Sequence, residues 1–227
     1  MLALRAAHYR LASPLMKPQF LLFPMIHIGS ADYYREVQSR LDGCDVILVE
    51  GVRSVSVKLL TLSYSLMARR KRLGLVTQHQ ALRLEECRAE LLHADVTTGE
   101  FVEGWQRIPW HWRIVISTAG PLCGAYRYLT ASRASIAKGL AVEDLESREE
   151  ILQSDDMPEF EEAILHSRDA RLVKTIEGVL GGSRGSQVVA VIYGADHMRA
   201  VTRALMGKRR YRVVHSEWLT VFQHEVI

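Results

Sequence analysis

The chain has 227 residues, 48% of them hydrophobic, enough to bury a substantial core within one domain. Its 29 basic and 26 acidic residues leave a net charge of +3 and a pI near 8.8, a balance that gives no electrostatic case for nucleic acid as a partner. Cys44, Cys87 and Cys123 show no CxxC spacing, so the composition argues against a disulfide framework and predicts structural thiols in a reducing cytoplasm.

Residues 1–20 carry Arg5, Arg10 and Lys17 among apolar side chains and lack a secretory hydrophobic region. The apolar run that follows is too short to cross a bilayer, so no membrane span is expected. That run starts at Phe20 and ends at His27. Gly29, a capping Ser30 and a helix to about Leu41 come next. A second run, 46–49, reads VILV and stops at Glu50 and Gly51. Beyond it, Val55, Leu59, Leu62 and Leu66 fall at helical spacing, with a short strand through Val52, Val55 and Val57 as the alternative start. The basic run 69–72 reads as a solvated helix end.

Residues 78–92 suggest another helix, with Gln78 and His79 near its start as candidates to line a cleft. Next, His93 reads as a surface histidine, and Asp95 precedes a cap-like stretch of Thr97, Thr98 and Glu100, so its carboxylate either caps a helix or serves a site. His111, between Trp110 and Trp112, reads as a packed loop residue. In 114–140 the residues Gly120, Pro121 and Gly124 interrupt any regular element. The acidic stretch 143–162, with Glu149, Glu150, Asp155 and Asp156, predicts an exposed helix, a turn near Pro158 and a further helix start.

Phe160, Ile164, Leu172, Ile176 and Leu180 keep helical spacing, and Gly181, Gly182 and Gly185 form a loop into the run 188–193. That run is mostly β-branched and too short for a helix, so it predicts a strand buried on both faces. It stops at Gly194. Asp196 is placed to cap a helix that starts with His197 and runs through Met198, Val201 and Leu205. A charged turn, 208–212, and a closing strand, 211–214, follow. Nothing resembles a linker or repeat, so one domain over 1–227 is expected.

Three strands thus end on chemistry-bearing residues. If they are parallel neighbours, His27, Glu50 and His197 project from the carboxyl edge of one sheet, where open α/β sheets bind ligands. Two imidazoles and a carboxylate there form either a metal site or an acid–base site.

The GADH of 194–197 resembles the second GxxH motif of the TraB, PrgY, GumN and Tiki family, and HIGS of 27–30 sits where that family has its first. VILVEG resembles its strand ending in glutamate, and SRDARLVKTIEGVL, containing Arg168, resembles its arginine motif. The first motif departs from the pattern with Pro24 in place of glycine. Asp95 resembles an aspartate the family carries ahead of a helix. The resemblance implies an erythromycin esterase-like, ChaN-like α/β fold: a central, mostly parallel sheet flanked by helices with a helical middle insertion. For Arg168, which spacing alone reads as solvent-facing, it implies a guanidinium that holds a carboxylate or an oxyanion.

Two mechanisms use these residues. Resemblance to the Tiki proteins implies a metal-dependent hydrolase of a peptide or other acyl substrate, with His27, Glu50 and His197 around a divalent ion, manganese or cobalt with zinc as a further choice, and Arg168 assisting. Resemblance to the erythromycin esterases implies a metal-free hydrolase in which Glu50 and a histidine activate water. Asp95, Asp196, Gln78 and His79 are candidate supporting or substrate-binding residues in either. PrgY- and ChaN-like relatives imply a third class, a peptide- or haem-binding pocket without turnover. A homodimer is compatible with each.

Overall fold

The computed structural model describes residues 1–51, 65–140, 165–182 and 185–225. Its strands are β1 (Leu2–Ala12), β2 (Gln19–Met25), β3 (Ile28–Gly29), β4 (Val46–Val49), β5 (Val76–Thr77), β6 (Glu90–His93), β7 (Val188–Gly194) and β8 (Arg212–His224). Six of them form one mixed sheet in the order β6–β4–β7–β2–β1–β8, while β3 and β5 pair separately. β6, β4, β7 and β2 run parallel, and β1 joins β2 and β8 antiparallel. The three expected strands are therefore neighbours, with β7 between β4 and β2.

The helices are α1 (Ala31–Leu41), α2 (Gln78–Ala81), α3 (Thr98–Arg107), α4 (Trp110–Thr130), α5 (Arg133–Leu140), α6 (Ser167–Gly182) and α7 (Met198–Thr202). Ser30 caps α1 as its sequence predicts, its hydroxyl accepting from the Tyr33 amide at 3.2 Å. Strand side chains alternate between two cores, as period two requires. Phe23, Met25, Ile47, Val49, Ala190 and Ile192 pack with Tyr33, Tyr34, Val37 and Leu41 of α1. Phe20, Leu22, Leu48, Val189, Val191 and Tyr193 face Leu172, Ile176 and Leu180 of α6 on the other side. Each such buried aliphatic contributes about 1.5–3 kcal/mol, which fixes α6, and hence Arg168 at its start, against the sheet.

Several expectations are corrected. Residues 1–20 supply β1, whose period-two alternation is obscured by the arginines; it pairs along most of β8, so the closing strand extends far beyond 211–214. Residues 78–92 are not one helix: α2 is four residues long, and the segment ends in β6, which adds a parallel edge strand beside β4. Residues 110–130 form one helix through Pro121, and His111 lies on it rather than in a loop. Asp196 does not cap a helix: Ala195–His197 is a 3₁₀ turn with Gly194 as its cap residue, and Asp196 is exposed. The glycines 181 and 182 end α6 rather than starting a loop. The expectations for 52–62, the acidic stretch 143–162, Phe160 and Ile164 lie outside the described residues.

Candidate functional site

The carboxyl ends of β4, β6 and β7 meet at one edge. Glu50 follows β4, and its amide donates to the Ile192 carbonyl at 3.3 Å, so the strand ladder carries Glu50 to the end of β7. There its Oε2 accepts the Gly194 amide at 2.8 Å. Beyond β6, Ala94 N–H continues the ladder to Val49 O, which sets Asp95 beside Gly51. The Asp95 carboxylate accepts the amides of Gly51 at 3.0 Å and Val96 at 2.8 Å.

Arg168 closes the two carboxylates together. Its Nε and Nη2 donate to Asp95 Oδ1 and Oδ2 at 2.9 and 2.7 Å, a bidentate pair, while Nη2 also donates to Glu50 Oε1 at 2.5 Å. The Asp95 side chain is 1% exposed, Arg168 12% and Glu50 18%. Burial pushes the Asp95 carboxyl up, but the Arg168 hydrogen bonds and charge, with the two amides, outweigh it and hold the group below the ordinary carboxylate value. Burial opposes the charge on Arg168 in turn; the Asp95 bonds and the nearby Glu50 charge keep it raised and firmly protonated. The guanidinium lies 5.7 Å from the centroid of the Tyr193 ring. The Tyr193 hydroxyl is enclosed and forms no hydrogen bond of normal geometry; burial, then the Asp95 charge, pushes its pKa up.

His197 stands in the turn after β7, buried, with its ring edge-on to Tyr193 at 4.8 Å between centroids. Its Nδ1 pairs with Asp169 Oδ1 at 2.7 Å. With Asp169 as acceptor, Nδ1 carries a proton, and in the neutral ring the lone pair then lies on Nε2. Nε2 bonds to no described residue and is not among the enclosed polar atoms. A Cβ built on Gly194 would lie 3.5 Å from both Glu50 Oε2 and His197 Cδ2, so the carboxylate and the imidazole flank that glycine closely.

Glu50, Arg168, Asp95 and His197 therefore form one cluster at the carboxyl edge of the sheet. His27 lies two residues past β2, and its Nδ1 pairs with Gln78 Oε1 at 3.2 Å, while the Gln78 amide donates to its carbonyl at 3.0 Å. Gln78 is thus a partner of His27; His79 and Asp196 are exposed. Asp95 does not cap α3, a task taken by Thr97 in a reciprocal bond pair with Glu100. Asp169 and Tyr193 are the residues that sequence reasoning missed. A signal existed for Asp169 in the RD dipeptide at the start of a helix; none existed for Tyr193, which looks like any strand aromatic.

Both Glu50 oxygens accept hydrogen bonds and the Arg168 guanidinium lies against Oε1, while the Nδ1 contact of His197 with Asp169 is of the kind that orients a histidine either as a base or as a ligand through Nε2. Among the described residues no three His, Cys, Asp or Glu side chains are grouped to hold a metal. Of two described cavities, one of about 170 Å³ is lined by His8, Arg40, His215 and Glu217 and one of about 650 Å³ by Arg72, Arg133, Gln223 and His224, and neither includes a member of this site. Comparison with protein-family models, curated proteins and solved structures finds nothing that matches this chain.

Proposed function

We propose that the chain is a hydrolase of a peptide or other acyl substrate, working without a metal in the manner of the erythromycin esterase group, which is related to the TraB and Tiki family that its motifs resemble. The single observation that carries this reading is the Asp169–His197 pair beside Glu50 and Arg168, a general base with its orienting acid next to a fixed cation. In the proposed cycle His197 Nε2 takes a proton from water as the water oxygen attacks the acyl carbon. Asp169 fixes the tautomer and stabilises the imidazolium that forms. Arg168 Nη1, which donates to no described residue, faces the oxyanion of the tetrahedral intermediate. The imidazolium then returns its proton to the leaving group as the acyl–heteroatom bond breaks.

Glu50 keeps lone pairs beyond those used by Gly194 N–H and Arg168, since a carboxylate offers about four acceptor positions. It is therefore able to hold the attacking water alongside His197 while fixing the guanidinium. His27 and Gln78 form the wall on the β2 side in this reading. The metal-dependent alternative assigns Glu50 and the histidines as ligands, with Arg168 remaining beside the Glu50 carboxylate.

The test is hydrolysis of p-nitrophenyl esters and a quenched-fluorescent peptide pool by protein dialysed against a chelator, together with elemental analysis. Turnover that survives chelation and is lost in His197→Ala and Glu50→Gln supports the reading. Activity that appears only with manganese or cobalt bound stoichiometrically, and vanishes on chelation, refutes it in favour of the metal centre. A ligand retained unchanged, with no product under any condition, refutes hydrolysis altogether.

A further inference from the structure

Helix α4 reads WHWRIVISTAGPLCGAYRYLT, and its side chains face solvent to an unusual degree. Trp110, Ile114, Leu122, Tyr126 and Leu129 are each 55–72% exposed, and Val115 48%. At about 100° per residue these six fall within one arc of about 160°. No aspartate, glutamate, lysine or arginine lies in that arc; its polar members are His111 at the first turn and Thr118, whose hydroxyl is already satisfied by the Ile114 and Val115 carbonyls. The two arginines of the helix, Arg113 and Arg127, lie outside it. A contiguous apolar face of this kind marks an interaction surface rather than scattered exposure.

The charge around the helix says which kind of partner fits. From Gly104 to Leu140 the sequence contains no aspartate or glutamate, while Arg107, Arg113, Arg127, Arg133 and Lys138 are all basic. Arg107, Arg127 and Lys138 are exposed. Trp105, Trp110, Trp112, Tyr126 and Tyr128 concentrate most of the chain's tryptophan in the same stretch. Apolar face, cationic flanks, missing acids and aromatic residues with a polar tip are together the composition of a helix lying in the plane of an anionic membrane surface. The helix is not apolar enough to cross a bilayer, which is consistent with lying on one.

We infer that α4 binds the surface of anionic phospholipid bilayers, with Ile114, Leu122 and Leu129 entering the acyl boundary and the flanking cations meeting the headgroups. This inference is independent of the hydrolytic reading.

The experiment is co-flotation of the full chain with vesicles of phosphatidylcholine alone and of phosphatidylcholine with 30% phosphatidylglycerol, at about 0.1 and 0.5 M salt. Binding to the anionic vesicles is expected, falling at least tenfold on neutral vesicles and weakening at high salt. Leu122→Glu/Leu129→Glu should lower it at least tenfold. Since both leucines are exposed, the variant should keep the wild-type thermal midpoint, and Arg107→Glu/Arg127→Glu gives a second variant that leaves the apolar face intact. Absence of binding to anionic vesicles overturns the inference. So does binding that neither variant alters, or a lipid-independent dimer in sedimentation that Leu122→Glu/Leu129→Glu dissociates.

Discussion

Replacing Arg168 by methionine removes the cation between two carboxylates and keeps most of the aliphatic packing. Asp95 is then a carboxylate with a 1% exposed side chain that retains only the Gly51 and Val96 amides. Breaking one side of a buried, hydrogen-bonded charge pair costs about 3–5 kcal/mol, against about 0–1 kcal/mol for an exposed pair. The buried value applies because Asp95 is sealed and its contact is bidentate. Adding Asp95→Asn should recover part of the loss by removing the stranded charge, so Arg168 and Asp95 should couple by at least about 1.5 kcal/mol in a double-mutant cycle. Arg168→Lys should fall between wild type and methionine, because one ammonium cannot reproduce the planar fork. The assay is equilibrium urea unfolding at pH 7.5, read as midpoint times slope. The Asp95 carboxyl has a lowered folded value, so its stabilisation is whole above the unfolded carboxylate pKa of about 4 and is lost as pH falls through the lower folded value. A loss below about 1 kcal/mol in Arg168→Met, or additive single and double variants, would refute the clamp.

Asp169→Asn should lower turnover by about 10²–10⁴-fold while moving the urea midpoint little; an unchanged rate would remove Asp169 from the mechanism. Gly194 has φ −52 and ψ 146 and room for a Cβ at ordinary contact distance, so Gly194→Ala should fold normally yet raise KM by narrowing the gap between Glu50 and His197, and a wild-type KM would contradict the proposed substrate position. His8 is 4% exposed with neither ring nitrogen bonded, and burial holds its pKa down to about 4, with Glu217 partly opposing and Arg40 adding. Its neutral form is the favoured one in the fold, so stability is whole above the unfolded value of 6.5 and falls by on the order of 3 kcal/mol as pH drops towards 4; His8→Phe should flatten that decline in urea titrations at pH 7.5 and 4.5, and parallel curves for the two proteins would refute the assignment.

The parallel centre of the sheet was legible because β2, β4 and β7 are short apolar runs that stop at glycine or a polar residue, and burial on both faces leaves no other solution for them. The strand-end placement of Glu50 and His197 followed from the same stops. β1 and β6 were not legible: Arg5 and Arg10 break the apolar alternation of one, and the other is four residues with largely exposed side chains, defined by its partner β4. Glycine and proline in α4 argued against a helix, yet Pro121 removes only one amide from the helical ladder and the helix runs through it. Asp95 was legible as a candidate, whereas its bond to Arg168 spans 73 positions of sequence and no local pattern reports it.

Arg168 and Asp169 are consecutive at the start of α6, so their side chains leave the helix about 100° apart. That angle lets one residue reach the ends of β4 and β6 while the next reaches the turn after β7. Both arms of the site therefore depend on where one helix end sits. Its position is set by Leu172, Ile176 and Leu180 against the sheet, with the solvent-screened Arg171–Glu100 pair adding little. Leu172 is fully buried, and Leu172→Ala should cost about 2–5 kcal/mol. If the helix end carries both arms, that variant lowers kcat while folded, at a temperature well below its unfolding midpoint, although Leu172 touches no substrate. Asp169→Asn spares the Arg168 clamp and should leave stability intact, so the two variants separate a displaced helix from a lost base. Wild-type kcat in folded Leu172→Ala would show that the cluster is held by the strand ends alone.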